Sequence, residues 1–324
     1  MSTEHTPKGY NLLFGSPAVT GNLALERKHL DLSLDQNKLD PLINEYREIY
    51  NLMQTLAGSE RLIVLNSELN WGDSPDSEKA KNEFYELTND IPQQVGPFSW
   101  NNYYNLWPRD AYSYIGGEIY ADPNAFKKQK DFQLFPTHPT SSFLGEGGAV
   151  LSRKNIIFVG LETSEEAEED LDTLSTLGIN FGILPIADPT IHDISNHVDG
   201  VATLIEDKSG DLILLVAKSY YEQGFDASKK ISKAVKEAST GLLVIDDHNF
   251  PSLAFNLVQF DDLTICMTSG APHLQKALID LVGSDAVQTT KIPIELLPKR
   301  ASGSIRCLTN LIPDSIAQPK PQVK

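Results

Sequence analysis

The sequence predicts an α/β domain with internal pseudo-symmetry, and three observations lead to it. From Gly147 onward one pattern recurs: a strand, a turn, a second strand, a helix and a third strand. The second strands NIIFVG, DLILLVA and DLTICMT fall at intervals of between 50 and 60 residues, a period that marks repeated supersecondary units. No break in composition divides the chain, and no strongly polar unit caps its C-terminal end. A lone ββαβ unit leaves an apolar sheet face uncovered, so the units must pack on one another. Without a cap, a ring satisfies this better than a linear stack, which is the alternative.

Taken in order, residues 1–35 are polar and aperiodic, and are expected to form an arm over the body. Pro41–Leu56 carries Leu42, Ile43, Tyr46, Ile49, Tyr50, Met53 and Leu56 at spacings of three and four, the signature of an amphipathic helix. RLIVLN at 61–66 reads as a short buried strand. The acidic, Ser-rich stretch 70–90 and the Pro-rich stretch 132–140 read as loops. GAVLSRKNIIFVG, GVATLIEDKSGDLILLVA and LAFNLVQFDDLTICMTS each read as strand, turn, strand. Helices are expected at about 164–177, 227–239 and 272–283, followed by the third strands INFGILPI, GLLVID and AVQTTKIPI. The expected division is residues 1–58 as arm and helix, 59–315 as one catalytic body, and 316–324 as a tail.

Bulk properties narrow the partners. With 324 residues, 40% of them hydrophobic, the chain can bury a large core. Its net charge of −17 repels phosphate backbones and anionic lipid, so neither nucleic acid nor a membrane surface is expected. The same field draws small cations toward a cleft. No apolar run reaches the roughly 20 residues that span a bilayer, and the N-terminus lacks the apolar core of a secretory signal. The two cysteines, Cys266 and Cys307, sit in different company, which suits a reducing compartment and a cytoplasmic protein.

Four stretches depart from what a core requires. Arg109 and Asp110 precede an apolar, Gly-bearing strand in WPRDAYSYIGGEIY; Glu146 precedes two glycines in FLGEGGAVL. His197 and Asp199 stand two apart in NHVDGVATLI, and on an extended segment they would share one face. Cys307 follows Arg306 after a run of small residues in ASGSIRCLTN, where a neighbouring cation can lower a thiol pKa. Each has a plainer reading: a local ion pair, a turn residue, a surface pair, a small core hydrophobe. Cys266, among strand-like apolar neighbours, fits the last of these. The histidines at 138, 192, 248 and 273 lie in Pro- or Asp-rich loops and are assigned no role. No CxxC, HExxH, phosphate-loop or GxSxG pattern occurs, so no metal, nucleotide or other cofactor is expected.

In this order, RDAYSYIGG, GEGGAVLSRKNIIFVG, HVDGVATLI and SGSIRCLTN resemble the motifs of the guanidino-group-modifying superfamily, the penteins. It includes arginine and agmatine deiminases, dimethylarginine dimethylaminohydrolases and amidinotransferases. PSLAFNLVQFDD is similar to that family's Asn-containing strand. The resemblance spans about residues 100–310. It implies a five-unit ββαβ propeller without cofactor, with Cys307 as nucleophile and His197 as general acid and base. Asp110, Asp199 and Arg109 would bind a small cationic guanidino substrate, and Glu146, close to the same pocket, would complete the catalytic set.

The implied reaction is hydrolysis through a covalent thiouronium. Transfer of the amidino group to an amine, and a propeller that only binds a cation, are the alternatives. Two departures from the pattern concern the substrate's far end. Ala149 stands where many relatives have Asp, and LETSEEAEED at 161–170 has no Arg where relatives have one. The expected substrate therefore lacks a free α-carboxylate or carries it elsewhere.

Overall fold

The computed structural model describes residues 10–17, 36–66, 88–93, 107–115, 118–121, 125, 137–139, 147–161, 168–176, 178–188, 197–301 and 303–313. The chain opens with β1 (Tyr10–Phe14), α1 (Gln36–Ala57) and β2 (Leu62–Val64). Then come β3 (Ser113–Ile115), β4 (Glu118–Ala121) and β5 (Thr137–Pro139). The next unit holds β6 (Val150–Arg153), β7 (Ile156–Gly160), α2 (Glu168–Thr176) and β8 (Asn180–Leu184). After it stand β9 (Ala202–Glu206), β10 (Leu212–Ala217), α3 (Lys218–Tyr221), α4 (Ala227–Glu237) and β11 (Gly241–Ile245). The chain continues through β12 (Val258–Gln259), β13 (Ile265–Met267), α5 (Pro272–Val282) and β14 (Val287–Thr289). It reaches α6 (Leu296–Ala301) and β15 (Thr309–Pro313) last.

Among the described residues these strands form five three-stranded sheets of one topology. In each, a first strand runs antiparallel to a second, and the second runs parallel to a third. The antiparallel pair needs only a tight turn, whereas the parallel pair needs a long crossover. Helices α1, α2, α4 and α5 lie in four of these crossovers. Middle strands covered on both faces read as unbroken apolar runs; β7, IIFVG, is buried at all five positions.

Four sheets follow one another along the chain, but the fifth joins its ends. Its first strand is β15, its middle strand β1 and its third β2. This corrects the reading of residues 1–35 as an arm: residues 10–14 are the middle strand of a sheet. Leu12, Leu13 and Phe14 are buried there. Helix α1 packs behind, with all seven apolar residues of its stripe buried, each contributing roughly 1.5–3 kcal/mol. The Phe14 ring lies 5.3 Å from that of Tyr46, whose hydroxyl donates to Gly15 O. A second correction concerns 132–140, read as loop: Thr137–Pro139 is β5, parallel to β4. Most of the 70–90 loop falls outside the described residues. No helix among the described residues is long and apolar enough to cross a membrane.

Candidate active site

The candidate residues share one place in the topology. Each sits on the turn that feeds the first strand of a sheet. Asp110 closes a 3-10 turn before β3; Gly147 and Gly148 form the turn before β6. Asp199 lies in a 3-10 turn before β9, with His197 capping its start. Asn256 and Cys307 stand two residues before β12 and β15. The HxD pair is therefore not on a strand, as its spacing suggested. The turn separates the two side chains: Asp199 is 1% exposed, while His197 is half-buried and lies against Gly148.

Hydrogen bonds link these turns into a closed cycle. Gly147 N donates to Asp110 Oδ1 (3.1 Å), and Asp199 N donates to Gly148 O (3.1 Å). Asn256 Nδ2 donates to Asp199 Oδ2 (2.6 Å), and Arg306 N donates to Asn256 Oδ1 (2.8 Å). Arg109 Nε donates to Arg306 O (3.2 Å), returning to the first turn. Close backbone approach completes the contact. A Cβ on Gly147 would lie 2.7 Å from Arg109 O, and one on Gly148 would lie 2.1 Å from His197 Nδ1. Only glycine leaves room at both positions.

At the centre, Cys307 Sγ lies 3.6 Å from Asp199 Oδ2 and 3.2 Å from Asn256 Nδ2. Asp199 Oδ2 also accepts from Arg306 Nη1 at 2.9 Å in a buried ion pair. Asp199 Oδ1 is buried and has no hydrogen-bond partner among the described residues. Buried carboxylate oxygens are rarely left so, because the desolvation they suffer is not offset.

The expected electrostatics of the thiol are overturned. Arg306 was expected to lower the Cys307 pKa, yet its guanidinium is directed to Asp199, to Gly147 O (2.6 Å) and to Val150 O. Burial, then Asp199, then Asp110 push the Cys307 thiol up; the Ser304 backbone and the Asn256 amide act the other way. Arg109 is pulled down to about 9 by burial first and Arg306 second. Its Nε is spent on Arg306 O and Thr309 O, a backbone staple between the first and fifth sheets.

The structure thus brings together Asp110, His197, Asp199, Arg109 and Cys307. Glu146 lies outside the described residues. Cys266 is 0% exposed in β13, and burial pushes its thiol up. No group of three or more His, Cys, Asp or Glu side chains among the described residues is placed to hold a metal ion. Asn256 entered the sequence reading only within PSLAFNLVQFDD, by likeness to an Asn-containing strand, and was given no role. Its place in the fold adds a second signal, since it precedes β12 by the same two residues by which Cys307 precedes β15.

Beside the Asp199 and Asn256 turns lies a cavity of about 660 Å³. Glu222, Asp246, Asp247 and Glu295 line it, against Lys218 and Lys299.

No protein-family model matches the chain, and no curated protein matches it. Solved structures do. An agmatine deiminase from C. jejuni aligns with TM-score 0.56 and 12% identity, over 96% of this chain and 95% of that one. A substrate-bound variant of a C. jejuni agmatine deiminase gives 0.58 and 11%, over the same shares. An amidinotransferase of the saxitoxin pathway of Microseira wollei gives 0.54 and 13%, over 95% of this chain and 96% of that one. At these identities the likeness is one of α/β fold.

Proposed function

From a chain with the fold of the guanidino-modifying enzymes, we propose a cysteine-dependent hydrolase that attacks the central carbon of a small guanidino compound. The observation that carries this reading is the open Asp199 Oδ1, buried beside the only thiol of the cluster. A guanidinium is a planar fork of N–H donors, and a buried carboxylate oxygen is the acceptor it fits. We read the cycle of five turns as the hub of a five-unit propeller, with Asp110 and Asp199 on either side of the ligand.

The chemistry follows from the charges. In the resting site the thiol is neutral, because burial and two carboxylates hold its pKa up. A guanidinium bound between those carboxylates offsets them, and the thiol ionises by passing its proton to His197. The thiolate pair forms a bond to the central carbon and gives a tetrahedral adduct. Collapse breaks a C–N bond, His197 delivers the proton to the departing amine, and a thiouronium remains on Cys307. Water, deprotonated by His197, then adds to the same carbon. The C–S bond breaks, and a ureido product leaves.

In this reading the far end of the substrate enters the neighbouring cavity, which Gly200 and Phe255 line next to Asp199 and Asn256, and there meets an acidic wall. Four carboxylates line the neighbouring cavity against two ammonium groups, so a free carboxylate there would be repelled. The test is a panel of arginine, agmatine, methylated arginines and guanidino acids, assayed for ureido product and released amine without added acceptor. Product from at least one member supports hydrolysis. Turnover only with an added amine points to amidino transfer, and no turnover with any member, with or without acceptor, refutes the proposal. An arginine preference of tenfold or more over agmatine would refute the reading of the acidic wall.

A further inference from the structure

We propose that Asn256 is a catalytic residue, one that stabilises the Cys307 thiolate by donating a hydrogen bond to Sγ and fixes the turn presenting it. The proposal rests on Cys307 being the nucleophile. Every hydrogen-bonding position of this amide is used. Its Oδ1 accepts from the backbone N–H of Arg306 (2.8 Å) and of Cys307 (3.3 Å). Its Nδ2 has two hydrogens, one directed to Asp199 Oδ2 (2.6 Å) and one to Cys307 Sγ (3.2 Å). These partners leave no ambiguity in the amide orientation. A flipped amide would set its oxygen against a carboxylate and its nitrogen against two N–H donors.

The bond to sulfur has a chemical consequence. An N–H donor is worth more to a thiolate than to a thiol, because hydrogen bonds to an ionised acceptor are roughly twice as strong. Other groups face the sulfur: Asp199 and Asp110 oppose ionisation, while the Arg109 guanidinium favours it. Arg306, next in the chain, is occupied by Asp199 and two backbone carbonyls. Of the side chains bonded to Sγ, Asp199 disfavours the thiolate and Asn256 favours it. The same amide therefore holds the Asp199 carboxylate in place and offsets part of its effect on the thiol.

The test reads the thiol directly. The rate of Cys307 alkylation by iodoacetamide is followed against pH by peptide mass spectrometry, for wild type and Asn256→Ala, without substrate. The variant should react about tenfold more slowly near neutral pH, with its profile displaced upward by about one pH unit, and kcat should fall more than KM rises. A folded variant with an unmoved profile overturns the proposal. A purely structural role would lower Tm and leave that profile in place.

Should the variant fail to fold, wild-type protein labelled with 15N-asparagine decides. The Asn256 side-chain amide resonance must titrate together with Cys307 alkylation; an amide that ignores the thiol overturns the assignment. Because alkylation needs no guanidino compound, the two readings fail separately. A displaced profile without turnover counts against the hydrolase, and turnover with an unmoved profile counts against Asn256.

Discussion

Gly148→Ala tests whether His197 acts by position. A Cβ at Gly148 would meet His197 Nδ1 at 2.1 Å and Cγ at 2.4 Å, against an ordinary carbon–nitrogen contact of about 3.5 Å. The imidazole must therefore retreat by more than about 1 Å, a displacement that can cost a reacting group on the order of 10²-fold in rate. That is about 2.7 kcal/mol of barrier. The obstruction is a side-chain ring, and the Gly148 backbone is not in the left-handed region, so alanine brings no backbone strain. Stability should stay within about 1 kcal/mol of wild type, since Gly→Ala also lowers the entropy of the unfolded chain. The assay is steady-state turnover of the best guanidino substrate, beside thermal unfolding followed by circular dichroism. A folded Gly148→Ala with kcat within threefold of wild type would refute the role given to His197.

Other outcomes follow from the same geometry. Gly147→Ala meets backbone, Arg109 O at 2.7 Å and C at 2.9 Å, so it should lower Tm as well as activity, and a Tm equal to wild type would contradict that contact. Cys307→Ser should abolish turnover in a folded protein, whereas Cys266→Ser should keep most activity and lose roughly 1–3 kcal/mol through a buried hydroxyl; equal loss of activity in both would remove Cys307 as nucleophile. Asp199→Ala strands the buried Arg306 guanidinium and should cost about 3–5 kcal/mol in denaturant titrations, while half-buried Asp110→Ala should chiefly raise KM. Stability should fall as pH rises above about 9. Cys266, Cys307, Tyr46, Tyr112 and Tyr220 keep their protons in the fold above the pH at which the unfolded chain releases them, and each such group removes ~1.4 kcal/mol per pH unit. Tyr50, raised by burial, acts the same way. Arg109, pulled down to about 9, and Arg153, lowered by burial, have the opposite sign but are two groups against six, and a Tm that is flat from pH 8.5 to 10.5 would refute this balance.

How much was legible in the sequence depended on whether a unit was contiguous. The three units after Gly147 were readable because strand, turn, strand and helix follow without interruption, and their helices fall within a few residues of expectation. The fifth unit was not, because its first strand is at one end of the chain and its other two are at the other. A period search cannot join β15 to β1. The strand β5 was missed for a different reason. It has only three residues, THP, within a Pro-rich stretch, and neither alternation nor apolar content can declare itself over that length. The candidate site was legible as residue types in order, but not as geometry. Spacing of two implies one shared face only if the segment is extended, and at His197–Asp199 the chain makes a 3-10 turn instead.

Arg306 shows why adjacency in sequence is a poor guide to electrostatics in a buried site. Next to Cys307 in the chain, it turns instead toward Asp199 and the carbonyls of Gly147, in the turn before β6, and of Val150, in β6 itself. The burial of the site is what forces this, since Arg306 and Asp199 are 7% and 1% exposed. An unpaired guanidinium beside a thiol would be strongly destabilising, so it takes the nearest carboxylate. With Arg306 and Arg109 set against Asp199 and Asp110, these four groups carry no surplus of either sign. A neutral thiol is the consistent resting state, and a cationic ligand is what changes the balance. Under the proposed function the site would need no permanently activated cysteine: the substrate would supply the charge that ionises Cys307, and Asn256 the hydrogen bond that receives it.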